Sequence, residues 1–343
     1  METLKIKETE MQDKKKTTKK STKKQNTIMV GIDVGFGNVK IYTEHNQEEI
    51  KITFQSRFKK INTESTDVIT INGENYTFIE GDLIVDNGHL SKNNDDTRIL
   101  LWRALHEVYL KTGATTFDVC MNAALDDYKL NSGKPIIDKM IEQKEIAFKE
   151  RFKKEVVLKI NNLACFPECL VGGATVKKQQ LQLKDEEVVM IDFGTLNMQG
   201  IYVLQGRPEY SKSFATDLGM QQIYRALADL AKLKDRRFAT DTSIQLYLEK
   251  TAKDPKYIIP EIDDVIMEYL IREVFKKLDL QLNIIKPSIY CKYLLTGGGS
   301  ATLRRFLETK FIEEGEKIFL EDGYFANSKG LYRKALRLYS ESN

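Results

Sequence analysis

The 343-residue sequence predicts an α/β protein built from two similar lobes. Two observations carry this. Apolar runs of β type alternate with stretches of helical spacing along the chain. The strand-and-turn Asp33-Val-Gly-Phe-Gly-Asn also returns 159 residues later as Asp192-Phe-Gly-Thr-Leu-Asn. Each copy follows an apolar run and precedes another strand, not a helix. A repeat at domain length points to two lobes facing each other across a cleft.

The elements follow in order. Residues 28–33 are apolar and end in the first Asp-Gly turn, and 39–43 form the returning strand. Strands are expected at 50–54, 68–71 and 76–79, with Asn72-Gly73 as a hairpin turn. From 96 to 110 the spacing is helical, with Trp102 inside the apolar stripe, where it reads as core. Residues 117–121 read as a buried strand. Ser132 opens a long helix with Pro135 in its first turn, and 156–160 return to strand. In the second half, strands are expected at 188–191 and 198–204, and helices at 218–231, 243–250 and 262–278. A strand at 290–295 ends in Thr296-Gly-Gly-Gly-Ser. A helix at 301–310, a strand at 318–320 and a helix from 324 complete the chain.

The charge is uneven. The chain carries a formal +3, but residues 1–26 alone hold nine lysines and four acids, leaving −2 for the rest. With four apolar residues and no aromatic, this tail is expected to be a solvated, disordered arm whose removal spares folding. The sharper alternative is a tether to DNA, an acidic partner or a neighbouring subunit. The longest apolar runs fall far short of the ~20 residues of a membrane span. Cys120, Cys165, Cys169 and Cys291 are too few and too scattered for a disulfide framework, and a cytoplasmic location is the expectation. Cys165 and Cys169 lack the partners of a zinc site, and His45, His89 and His106 are scattered. No Gly-x₄-Gly-Lys-Ser/Thr loop, helix-turn-helix or zinc-finger pattern is present.

Glycines at strand ends let backbone N–H groups approach phosphate oxygens. A carboxylate beside such a turn repels phosphate unless a cation intervenes, so Asp33 and Asp192 make sense around a hydrated Mg²⁺. Gly297-Gly-Gly opens a helical pattern whose amides could reach phosphate or ribose.

This order of motifs resembles the actin, Hsp70 and sugar-kinase superfamily. It looks closest to the ParM-type actin-like proteins that segregate plasmids. The matching stretches are Gly31-Ile-Asp-Val-Gly-Phe-Gly-Asn-Val-Lys40, Phe166-Pro-Glu-Cys-Leu-Val-Gly-Gly-Ala174 and Ile191-Asp-Phe-Gly-Thr-Leu-Asn197. Leu294-Leu-Thr-Gly-Gly-Gly-Ser-Ala301 and Phe325-Ala-Asn-Ser-Lys-Gly-Leu-Tyr332 complete the set, so that the likeness spans about 28–338.

The resemblance implies an actin-like, duplicated two-lobed fold with nucleotide in the interlobe cleft. It implies a first domain at 27–187 with a small insert at about 44–95, a second at 188–322, and a C-terminal helix at 323–343 returning to the first. By the same resemblance, Asp33 and Asp192 organise Mg²⁺ through water. Gly35, Phe36, Gly37 and Asn38 wrap the terminal phosphates, with Lys40 nearby. Glu168 orients or activates the attacking water, and Gly194, Thr195 and Asn197 form the second phosphate hairpin. Gly297, Gly298 and Gly299 contact the α-phosphate and sugar side, and Gly219 and Gln222 help hold ribose and base. Asn197 stands where the family often has Thr, which bears on the hydrolysis rate. The implied function is Mg-dependent hydrolysis of ATP or GTP by a self-assembling helical filament that moves plasmid DNA through a DNA-binding adaptor, with no direct sequence-specific DNA binding.

Two other readings compete. A sugar kinase of the same superfamily needs a base and a sugar pocket in the first lobe. Asp126 and Asp127 are the candidates there, although a solvated strand-end turn explains them as well. A scaffold that binds nucleotide without hydrolysing it is the other.

Overall fold

The computed structural model describes residues 27–62, 68–71, 73–79, 91–148, 155–176, 183–312, 315–320 and 322–340. The lysine-rich tail, Asn72 and His89 lie outside them.

The first apolar run is β1 (Thr27–Val34). It turns back into β2 (Asn38–His45), which turns into β3 (Glu48–Gln55), both pairings antiparallel. A three-stranded sheet follows from β4 (Phe58–Ile61), β5 (Val68–Ile71) and β6 (Glu74–Phe78), ordered β4-β6-β5. Then come β7 (Thr116–Ala123), β8 (Glu145–Phe148) and β9 (Val156–Pro167). β7 is parallel to β1 and β9 is parallel to β7, giving a six-stranded sheet of order β3-β2-β1-β7-β9-β8.

The second sheet repeats this plan. β10 (Glu187–Phe193), β11 (Met198–Leu204) and β12 (Arg207–Thr216) form an antiparallel meander. β13 (Lys292–Thr296) and β14 (Lys317–Phe319) add in parallel, in the order β12-β11-β10-β13-β14.

β1 is mostly apolar because both its faces are covered. Ile28, Val30, Ile32 and Val34 share a core with Ile99, Trp102, Leu105 and Val108 of the helix Asp95–Thr112. That helix starts where the Asn94 side chain accepts from the Thr97 N–H at 2.8 Å, and it stops at Gly113 with φ 71°. The other face of β1 meets the C-terminal helix Ala326–Tyr339 so closely that a Cβ on Gly31 would lie 2.1 Å from the Ser328 carbonyl oxygen. In the second lobe, Val189, Ile191 and Phe193 pack against the helices Met220–Ala231, Asp241–Lys253, Pro260–Tyr269 and Lys276–Ile285. Val188 and Met190 face the other way, onto Leu125 and Cys169 at the ends of β7 and β9.

The long helix expected from Ser132 is short. Ser132 and Gly133 take left-handed backbone angles, the helix runs only Lys134–Ile141, and the chain returns as β8. β4, β8 and β12 were not anticipated: β4 and β8 are four residues long, and the ten residues of β12 are mostly half-buried and polar.

Candidate active site

The two echoing turns adopt the same conformation. In the first hairpin the Gly35 N–H donates to the Asn38 carbonyl at 3.2 Å, and in the second the Gly194 N–H donates to the Asn197 carbonyl at 3.0 Å. Asp33 lies two residues before Gly35, and Asp192 two before Gly194. Asn197 is therefore the counterpart of Asn38, so both hairpins close with the same residue.

These tips face one another across a cleft of about 560 Å³ between the sheets. Asp33, Gly35, Phe36, Gly37, Asn38 and Lys40 line it from the first lobe, and Asp192, Gly194, Thr195 and Asn197 from the second. Glu168, at the end of β9, and Gly297, Gly298 and Gly299, after β13, also line it. Gly297 has φ +83°, and a Cβ there would lie 2.9 Å from Asp192 Oδ1, so only glycine fits beside that carboxylate. The helix that follows is a six-residue segment, Gly297–Thr302, with a break at Leu303 before Arg304–Lys310.

Gly219 and Gln222 do not line the cleft. Gly219 packs under the second hairpin, where a Cβ would lie 2.2 Å from the Leu196 carbonyl carbon, and Gln222 Oε1 accepts the Gly219 N–H at 3.0 Å. Their neighbours Met220, Gln221 and Tyr224 line the cleft instead, with Thr242, Gln245, Glu249 and Thr302. Asp126 and Asp127 do not line it either. Asp127 accepts from Ser91 Oγ at 3.0 Å and from the Lys92 N–H at 2.7 Å.

Behind the cleft runs a buried polar network. Asn122, at the end of β7, donates to Asp33 Oδ1 at 2.6 Å and to Glu168 Oε1 at 2.7 Å, while its Oδ1 accepts the Val34 N–H at 2.7 Å. Gln199 donates to Glu168 Oε2 at 2.7 Å and accepts the Leu125 N–H at 3.0 Å. Lys92 forms an ion pair with Glu168 and donates to the Val34 carbonyl. Asn327, of the C-terminal helix, donates to Asp192 Oδ1 at 3.2 Å. Lys40 Nζ stands 3.4 Å from Asp33 Oδ2 and 4.8 Å from the centre of the Tyr324 ring.

Sequence reasoning missed Asn122, Gln199 and Lys92, and gave no role to Asn327 although it stands in the quoted stretch Phe325–Tyr332. Asn122 and Gln199 had a weak signal, each being a buried amide in an apolar strand. Lys92 lies in a polar stretch and had none.

Burial sets the electrostatics. It pushes the Asp192 carboxyl up to about 7, with Glu168 and Asp33 adding repulsion. Glu168 is also raised by burial, with Lys92 opposing. Burial works against the Lys40 ammonium, but Asp33 and Asp192 outweigh it and hold its pKa above the ordinary value. Two buried carboxylates facing a cleft, with glycine N–H groups around them, suit a hard, hydrated divalent cation beside an anionic ligand. Among the described residues no group of three or more His, Cys, Asp or Glu side chains is placed to hold a metal directly. The four cysteines are free and buried. No described helix is long and apolar enough to cross a membrane.

Residues 31–170 match the family model of the actin like proteins N terminal domain. The archaeal actin homolog Ta0583 superposes with a TM-score of 0.70 at 20% identity, covering 91% of this chain and 100% of Ta0583. The chain has the actin fold. Alp12, solved as a filament, superposes with a TM-score of 0.66 at 17% identity over 92% of this chain and 99% of its own. ParM from Clostridium botulinum, solved as a 15-stranded filament, gives 0.62 at 17% identity over 91% and 100%. No match was found among curated proteins.

Proposed function

We propose that this actin-fold chain binds a nucleoside triphosphate with Mg²⁺ in the interlobe cleft, hydrolyses it, and assembles with its own copies into filaments that segregate plasmid DNA. The observation that carries the reading is the convergence of Asp33 and Asp192, at equivalent positions of two like hairpins, on one cleft with Glu168 and Gly297–Gly299. Ta0583 has been solved in complex with ADP, and Alp12 and the Clostridium botulinum ParM as filaments.

The residues divide the work as follows. The N–H groups of the two hairpins hold the phosphates, and Lys40 adds positive charge beside them. Asp33 and Asp192 would hold the magnesium ion through water; when bound, it screens the carboxylates from the phosphates and offsets charge on the leaving group. Glu168 accepts a proton from, or aligns, the attacking water. A carboxylate accepts about four hydrogen bonds. Lys92, Asn122 and Gln199 supply three to Glu168, which leaves one for water. The C-terminal helix belongs to the first domain, and the division between the domains falls just before β10, one residue earlier than the expected 187/188. Closure of the cleft would move both domains and so both filament faces. A head-to-tail, non-closing contact makes the filament. A DNA-binding adaptor would link it to the plasmid.

Phosphate release with Mg-ATP and Mg-GTP, read beside electron microscopy, tests this. Glu168→Ala should slow release by about 10²- to 10⁴-fold while filaments still form. Asp192→Ala should weaken Mg-nucleotide binding. Flat light scattering across a concentration series with both nucleotides would refute the filament, and release that depends on an added sugar would favour the kinase.

A further inference from the structure

Lys92 is 2% exposed and absent from the cleft wall, yet its ammonium reaches the two elements whose spacing matters most there. It pairs with Glu168 Oε1 and donates to the carbonyl of Val34, the residue between Asp33 and the first hairpin tip. The N–H of Val34 is held by Asn122, which also holds Glu168, so this stretch of backbone is gripped on both sides. The backbone of Lys92 is itself fixed, its N–H on Asp127. A buried ion pair is seldom more stabilising than apolar side chains of the same volume, so stability alone is a weak reason for placing a lysine here.

We propose that Lys92 is a positioning residue for hydrolysis: a strut that sets the Glu168 carboxylate against the phosphate hairpin and acts on the reaction only through it. This rests on the hydrolase reading above. Asn122 and Gln199 fix the other contacts of Glu168, but they are neutral amides; Lys92 supplies the bond in which donor and acceptor both carry charge.

The test compares wild type, Lys92→Met, Glu168→Gln and the double variant, measuring kcat, KM and thermal melting with Mg-ATP and Mg-GTP. Lys92→Met should lower kcat about 10- to 100-fold, a part of the 10²- to 10⁴-fold that general-base help supplies, and leave KM unchanged. Glu168→Gln should lower kcat as much or more, and the double variant no further. The double variant should melt above Lys92→Met, because it no longer buries a lone carboxylate. Additive losses in kcat, or a loss confined to KM, would overturn the proposal. If wild type itself releases no phosphate, the hydrolase reading fails; if Glu168→Gln turns over like wild type, Glu168 is not the catalytic carboxylate and the role of Lys92 falls with it. If Glu168→Gln is slow and Lys92→Met is not, only the role of Lys92 fails. Should Lys92→Met not fold, Lys92→Gln, which keeps a neutral donor, carries the same comparison.

Discussion

Gly37 and Thr195 touch across the cleft: a Cβ on Gly37 would lie 2.7 Å from Thr195 Oγ1. The two hairpin tips therefore meet at a point where one lobe has no side chain and the other has a short one. Gly37→Val should wedge the tips apart and weaken Mg-nucleotide binding by at least about tenfold, equivalent to ~1.4 kcal/mol. Pairing it with Thr195→Ala should recover part of the loss. Titration of a fluorescent nucleotide into the four proteins checks this, and equal affinities would show that the contact does not matter.

Asn122 holds two carboxylates and a backbone N–H at once. Asn122→Leu should destabilise the fold by about 2–4 kcal/mol, since each lost bond to a buried charged group costs more than a neutral one. Urea unfolding measures it. A change below ~1 kcal/mol would mean that water replaces the amide.

Asp192 gives a pH prediction with a definite sign. Its carboxyl is raised to about 7 in the fold, from an ordinary value of 3.8. The folded state therefore takes up a proton between those values that the unfolded chain does not. This group's destabilising effect is absent below about 4 and complete above about 7. A bound divalent cation relieves that repulsion only where the carboxylate is ionised. Mg-nucleotide should thus raise the melting temperature more at pH 8 than at pH 6, and Asp192→Asn should flatten the difference. Calorimetry at the two pH values decides it.

The C-terminal helix is seated by glycines at both contact points. A Cβ on Gly330 would fall 1.9 Å from the Val171 carbonyl oxygen, and one on Gly31 would fall 2.1 Å from that of Ser328. Both obstacles are backbone and cannot rotate away. Gly330→Ala should cost about 1–3 kcal/mol or more as overpacking. It should also disturb the cleft, because Asn327 on the same helix holds Asp192. A melting curve and a nucleotide titration should therefore both change; an unchanged pair would show that the helix shifts freely.

Much of the architecture was legible because it is local. A strand that must be buried on both faces has to be apolar, and a tip that must turn tightly has to carry glycine. Residues 28–38 and 188–197 each display both, an apolar run followed by a glycine turn. The helix Asp95–Thr112 announced itself by apolar spacing, with Trp102 fully buried as expected. The helix from Ser132 was overestimated because left-handed angles at Ser132 and Gly133, and a β8 pairing made only with β9, are not written in local spacing. β12 was missed for a like reason. Its half-exposed residues show little alternation, and it is a strand because β11 pairs with it.

By itself, the sequence determined the α/β class, the duplicated Asp-Gly hairpins and most of the residues lining the cleft, because each depends on a few neighbours and on backbone rules. Tertiary structure alone decided what lies behind the carboxylates. Asn122 comes from β7, Gln199 from β11, Lys92 from the approach to a helix and Asn327 from the C-terminal helix, and the bonds of the first three to Glu168 bridge 46, 31 and 76 residues. Tertiary structure also put Gly219 and Gln222 beneath the second hairpin and Tyr224, Gln245 and Glu249 in the cleft wall. Hydrogen bonds between distant side chains leave no period or motif along the chain. They arise only when the two sheets, each with its own core, are brought together and the buried charges between them must find partners.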